Sequence, residues 1–156
     1  MSSRDIPYVE STIIMTTVRV VAPFVLTLGL FIMFHGAGSA GGGFQGGVVV
    51  GTVILMLAFA FGIDAVREWL DPTAILGVIA LGLFTFLGVG FGALALGGAF
   101  LEYHAFEPLG IYHVVGYAIE LVELGIGAIV TGVIVGLFFV IAAGFDVEDG
   151  EEEDLL

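Results

Sequence analysis

HGAGSAGGGFQGG, residues 35–47, is the stretch on which the reading of this chain turns. Seven of its thirteen residues are glycine, and it stands directly behind a long apolar run. Gly36-Ala37-Gly38-Ser39-Ala40-Gly41 spells G-x-G-x-x-G, the phosphate-binding fingerprint of dinucleotide folds. That fingerprint needs a short strand before it and a helix with a sheet-facing side after it. Here residues 13–34 are long enough to cross a membrane, and 48–63 show no amphipathic face. No Gly-Lys-Ser/Thr follows, which removes a P-loop as well. Gly38-Ser39-Ala40 has the small-x-small form of a cleavage site, but Asp5 and Glu10 precede the apolar run where a signal peptide carries bases. The stretch therefore reads as a connection between two membrane spans.

Composition agrees. Of 156 residues, 59% are hydrophobic, against about 45–50% in a soluble domain, and the mean hydropathy is +1.16. Arg4, Arg19 and Arg67 are the only bases, set against sixteen acids. Nucleic acid is excluded as a partner, because phosphate neutralisation needs clustered bases. With no cysteine there is no disulfide, thiolate or Cys-based metal chemistry. Charge is segregated: residues 20–63 and 73–101 hold no Asp, Glu, Lys or Arg. Seven of the nine residues in 146–154 are acidic, which predicts a self-repelling, disordered tail over 146–156.

A helix needs roughly 20 apolar residues to cross the hydrocarbon core. The sequence thus predicts an all-α integral membrane protein with four transmembrane helices, at about 13–34, 48–63, 74–101 and 114–145. Arg19, near the start of the first, can snorkel to the interface, and Asp71-Pro72 reads as N-cap and N1 of the third. Four spans put both termini and the 64–73 connection on one side. All three arginines fall there, so the positive-inside rule predicts cytoplasmic termini in a multi-pass protein of the cell membrane.

Irregular backbone at membrane depth is tolerated where it is buried in protein or lines a wet cavity. Gly41, Gly42, Gly43, Gly46 and Gly47 permit close approach by another chain, with Phe44 as an anchor in a partner's pocket and Gln45 beside it. A plain external turn is the alternative, and the residues leave both open.

Gly-Gly-Gly-Phe-Gln-Gly-Gly behind a span ending in His35-Gly36 resembles the signature of the B subunit of Mrp/Mnh-type multisubunit cation/proton antiporters. The match departs at Ala37, where that family carries His, and at Ala40, where it carries Pro. A second stretch, Glu123-Leu124-Gly125-Ile126-Gly127 leading into Val130-Thr131-Gly132-Val133, is similar to the family's last helix. The resemblance implies a small subunit of a Na+/H+ antiporter, with other membrane subunits as partners and Na+ and H+ as the ions moved by the assembly. It equally implies the ion-translocating part of a membrane-bound hydrogenase or related respiratory complex. His35 and the glycines would then form a subunit-interface loop.

The last span carries acids. Glu120 and Glu123 share one helix face at i and i+3, and His113 lies seven residues before Glu120 on the same stripe. A carboxylate inside a bilayer is usually found facing a partner or a wet path for ions, and two so close titrate as a coupled pair. Glu123, the deeper residue, is the first candidate for an ion path. However, twenty uncharged residues follow it, enough to span alone, so an interfacial position for both acids stays open. Glu102, His104, Glu107 and His113 form a loose cluster without metal-ligand spacing. No nucleophile–base pair, metal motif or cofactor loop emerges, so neither an enzyme nor a cofactor is expected. Three glycine pairs four apart, Gly47/Gly51, Gly88/Gly92 and Gly132/Gly136, suit close helix crossing. A self-assembling homo-oligomer is the remaining reading.

Overall fold

The computed structural model describes residues 11–36, 38 and 41–153, and only the backbone of 144–153. Ala37 and Ala40 therefore lie outside the described residues, as do Arg4 and the end of the acidic tail. All regular structure among the described residues is helical. Helix α1 spans Thr12–Phe34, α2 Gly43–Phe61, α3 Ile63–Trp69, α4 Pro72–Ala95 and α5 Val114–Glu153, with a 3-10 segment at Tyr103–Leu109. α1, α2, α4 and the Val114–Ala143 part of α5 are each long and apolar enough to cross a membrane.

Local chemistry sets most boundaries. Ser11 caps α1 by accepting from the Ile14 N–H. Asp71 caps α4, its Oδ1 2.8 Å from the Thr73 nitrogen, with Pro72 at the first helical position. Gly62 breaks α2 from α3 with a left-handed φ of 97°, so the connection predicted as 64–73 is itself mostly the short α3. α4 stops six residues before the predicted end. Gly97, at φ 89°, donates to the Leu94 carbonyl and Gly98 to that of Ala93. That pair of bonds is a Schellman close, which satisfies the last carbonyls of the helix.

Two expectations change further. α2 begins at Gly43, not at 48, so five residues expected in a loop form its first turns. Glycine is a poor helix former, but these glycines are held by close neighbours on α1 and α5. The acidic run 146–153, expected to be irregular, continues α5 as helix. An existing helix extends without a new nucleation cost, and Glu is a good helix former.

The spans pack in the contact order α1–α2–α5–α4, a row more than a bundle: α4 meets α5, and α2 bridges α1 and α5. α5 therefore presents one side to α2 and the other to α4. The apolar core sits at the α3 end, where Ala58, Val66, Val135 and Phe139 come together. Both described arginines stand at that end. Arg19 lies over the Phe61 ring, 5.0 Å from its centroid, and the Arg67 Nη2 donates to the Phe139 carbonyl at 3.4 Å. At the far end Phe100 packs edge-on to Phe86 and Phe91, and Phe106 covers Gly92.

Candidate functional site around Glu123

Glycine on three helices brings backbones into contact where Glu123 sits. A Cβ on Gly43 would overlap the Glu123 carbonyl, and one on Gly47 would stand 2.7 Å from the carbonyl oxygen of Gly127. Gly127 in turn faces the buried Met33 of α1, with Sδ 2.8 Å from its Cβ position. The Thr131 hydroxyl donates to the Gly47 carbonyl at 2.9 Å and ties α5 to α2. Gly29 and Gly46 close the α1–α2 seam.

This packing turns the Glu123 side chain towards the α1–α2 connection. A Cβ on Gly36 would overlap its carboxyl group, and one on Gly42 would stand 3.4 Å from Oε1. Gly42 has φ 142°, a backbone that side chains rarely adopt, and its N–H donates to the Ile32 carbonyl. The carboxylate thus occupies a recess that only glycines can line. Its Oε2 is buried and has no hydrogen-bond partner among the described residues.

Two influences oppose each other there. Gly43 opens α2, so the first N–H groups of that helix lie at this end without intrahelical acceptors, and the dipole favours negative charge. Lost hydration disfavours it. A carboxylate so placed is suited to taking up and releasing a counter-charge. Along α4 its level falls near mid-helix, since Gly125 lies against Thr85 and Phe86. Along α2 its level is the helix start.

The other candidate residues separate. Glu120 is half-buried one turn from Glu123. His113 does not continue their stripe: α5 starts at Val114, and His113 is exposed with φ 55°, its ring edge-on to Tyr112. It stands roughly 15 Å along the axis from Glu123. His35 is exposed, stacked on Phe31, and donates from Nδ1 to the Phe31 carbonyl. Of the predicted interface loop, Gly43, Gly46 and Gly47 are buried against this chain's own helices, which leaves Phe44 (63% exposed) and Gln45 facing outward. In the 102–113 cluster, His104 Nδ1 donates to Glu107 Oε1 at 2.8 Å, both exposed. Such a pair contributes at most about 1 kcal/mol.

Sequence reasoning missed two neighbours. In the sequence Gly36 opens the G-x-G-x-x-G and ends the first span, and neither reading points to Glu123. Tyr103, at the start of the 3-10 segment, is half-buried, and its phenol is pushed above the ordinary tyrosine range, first by burial and then by the Glu123 charge. No sequence signal ties either residue to Glu123; the fold alone brings Gly36 to the carboxylate and Tyr103 within reach of its charge.

Four apolar spans packed by glycine define a multi-pass membrane protein. Comparison with known proteins narrows this. Residues 13–136 match the family described as "Domain related to MnhB subunit of Na+/H+ antiporter", and the chain belongs to that family. A Staphylococcus haemolyticus (strain JCSC1435) protein named as antiporter subunit mnhB2 is 33% identical over 140 residues, covering 86% of this chain and 97% of that one. An Alkalihalophilus pseudofirmus protein, named as the B subunit of a Na(+)/H(+) antiporter, is 30% identical over 99 residues, 61% of this chain and 68% of its own. A mnhB2 protein of Staphylococcus aureus (strain MRSA252) is 29% identical over 141 residues, again 86% and 97%.

Proposed function

We propose that this chain is a non-catalytic subunit of a multisubunit Na+/H+ antiporter in the cell membrane, and that Glu123 contributes a carboxylate to the assembly's ion path. The observation that carries the reading is the Glu123 side chain, turned into a recess beside Gly36 and Gly42 with Oε2 buried and unpartnered among the described residues. Intramembrane carboxylates of this kind belong to proton and cation relays. Glu120, one turn away, is the next carrier towards the far end. Phe44 and Gln45 are the contact with a larger subunit, because a large aromatic side chain exposed beside a packed glycine seam offers an anchor. The termini are cytoplasmic: Arg19 and Arg67 both stand at the α3 end, as the positive-inside rule requires.

The test is transport by the complete complex in membrane vesicles. Glu123→Gln abolishes cation-dependent proton exchange and Glu123→Asp retains part of it, while native gels show the complex intact. Phe44→Ala disperses the complex on the same gels. Full exchange by an intact Glu123→Gln complex would remove the carboxylate from the path and leave the chain a scaffold.

A further inference from the structure

α4 and α5 touch most closely at Gly82 and Gly125, where a Cβ on either would come within 2.8 Å of the other's carbonyl oxygen. Towards the α3 end they part. At Gly132 the nearest atom to a Cβ is the Ile79 side chain, and at Gly136 it is Ile75 Cγ2 at 3.8 Å. The space between is a cavity of about 590 Å³, open to one side and walled by apolar side chains including Ile75, Ile79 and Val140. Arg67 stands at its α3 end.

We infer that this groove binds one membrane phospholipid of the leaflet on the α3 side, with an acyl chain in the groove and the phosphate on Arg67. Three observations select this occupant. The first is depth. From Gly132 to Ala143 α5 rises about 16 Å, close to half of the roughly 30 Å hydrocarbon core, so the groove is as deep as one leaflet's chains. The second is the lining: along that length the walls are apolar side chains, Ile75, Leu76, Ile79, Val133 and Val140 among them, the surface that an acyl chain requires.

The third is charge. Arg67 has five N–H donors, and one of them reaches the Phe139 carbonyl at 3.4 Å. No carboxylate among the residues whose side chains are described lies within 4.0 Å of it, although Asp64 and Glu68 share its short helix. Asp71 is turned to the Thr73 nitrogen instead. The guanidinium is half-buried at the groove's end, and its fork matches the bidentate geometry of a phosphate. Trp69, 73% exposed two residues on, suits the headgroup level at which indoles anchor.

Native mass spectrometry of the full-length chain, extracted in mild detergent and doped separately with phosphatidylglycerol and phosphatidylethanolamine, decides the matter. One lipid is retained per chain with either headgroup, since both carry the phosphate. Gly136→Leu fills the groove from its floor, and Arg67→Gln removes the charged donors. Each lowers retention about tenfold, as the loss of one charge-assisted contact or of its apolar seat predicts. Gly77→Leu, whose Cβ meets nothing within 4 Å on the open side of α4, leaves retention unchanged. Circular dichroism verifies that each variant is folded, and Arg67→Gln alone carries the decision where Gly136→Leu is not. Unchanged retention in folded Arg67→Gln would overturn the inference. So would a Gly136→Leu chain that sheds a neighbouring subunit but keeps its lipid, for then a helix is the occupant.

Discussion

The two halves of α5 use the same residue to opposite ends. Near Glu123, Gly127 lets α5 meet the Met33 side chain of α1 and the backbone of α2, so closely that neither Gly43 nor Gly47 has room for a Cβ. Towards α3, Gly132 and Gly136 face isoleucines on α4 and leave a groove. In sequence both are small-residue pairs of the kind that permit close crossing. What separates them is the partner: glycine opposite glycine brings main chains together, whereas glycine opposite a branched side chain leaves space beside it. A spacing pattern therefore marks where helices can approach, and the facing helix decides whether they do.

The largest expected effect lies in the first half. Gly43→Val puts a branched side chain onto the Glu123 carbonyl, which is main chain and cannot rotate away. We expect a loss of about 3 kcal/mol or more, read as a collapse of thermal stability in detergent and of complex recovered on native gels. A Gly43→Val chain that melts like wild type would break the comparison outright, since it would mean that the α2–α5 contact is not as close as its glycines allow.

The second half gives smaller effects, and of two signs. At Gly132 a methyl would stand 2.5 Å from Ile79 Cγ1, one bond from the Ile79 Cβ, so that side chain must change rotamer. Gly132→Ala should cost about 1–2 kcal/mol, overpacking offset in part by helix propensity. At Gly136 the nearest atom is at ordinary contact distance, so Gly136→Ala should stabilise by up to about 0.8 kcal/mol through helix propensity alone. Thermal melts of the two variants side by side sharpen the contrast, and destabilisation of equal size at both would say that α4 packs on α5 along its whole length.

How much of this is legible in the sequence follows from where the information lies. The four spans rest on runs of apolar residues, a signal contained in each segment, and the Asp71 cap rests on three adjacent residues. Glu123 stands out because a carboxylate amid apolar residues is conspicuous without any knowledge of its neighbours. The α2 start at Gly43 is not legible, because glycine's low propensity is overridden only by α1 and α5 pressing on it. His113 falls on the Glu120 stripe only if periodicity is carried one residue past the true helix start; its left-handed backbone is visible only in the fold. Likewise the groove depends on α4 and α5 diverging, which no single helix encodes.

Tyr103 offers the finest test of the Glu123 end. Its phenol is held above the ordinary value near 10, first by burial and second by the Glu123 charge. A tyrosine raised in this way stabilises the folded chain fully below pH 10, and the contribution is lost as pH rises through the higher folded value. The difference in tyrosinate absorbance between wild type and Tyr103→Phe should therefore titrate with a midpoint above 10. Glu123→Gln should move that midpoint down, but not to the free value, because burial, the larger cause, remains. Should the midpoint stay where it is, the carboxylate does not face the 3-10 segment, and the recess is closed by α1 and α2 alone. A downward shift would show that the Glu123 charge acts on the 3-10 segment, so that the far end of the molecule contributes to the carboxylate's surroundings.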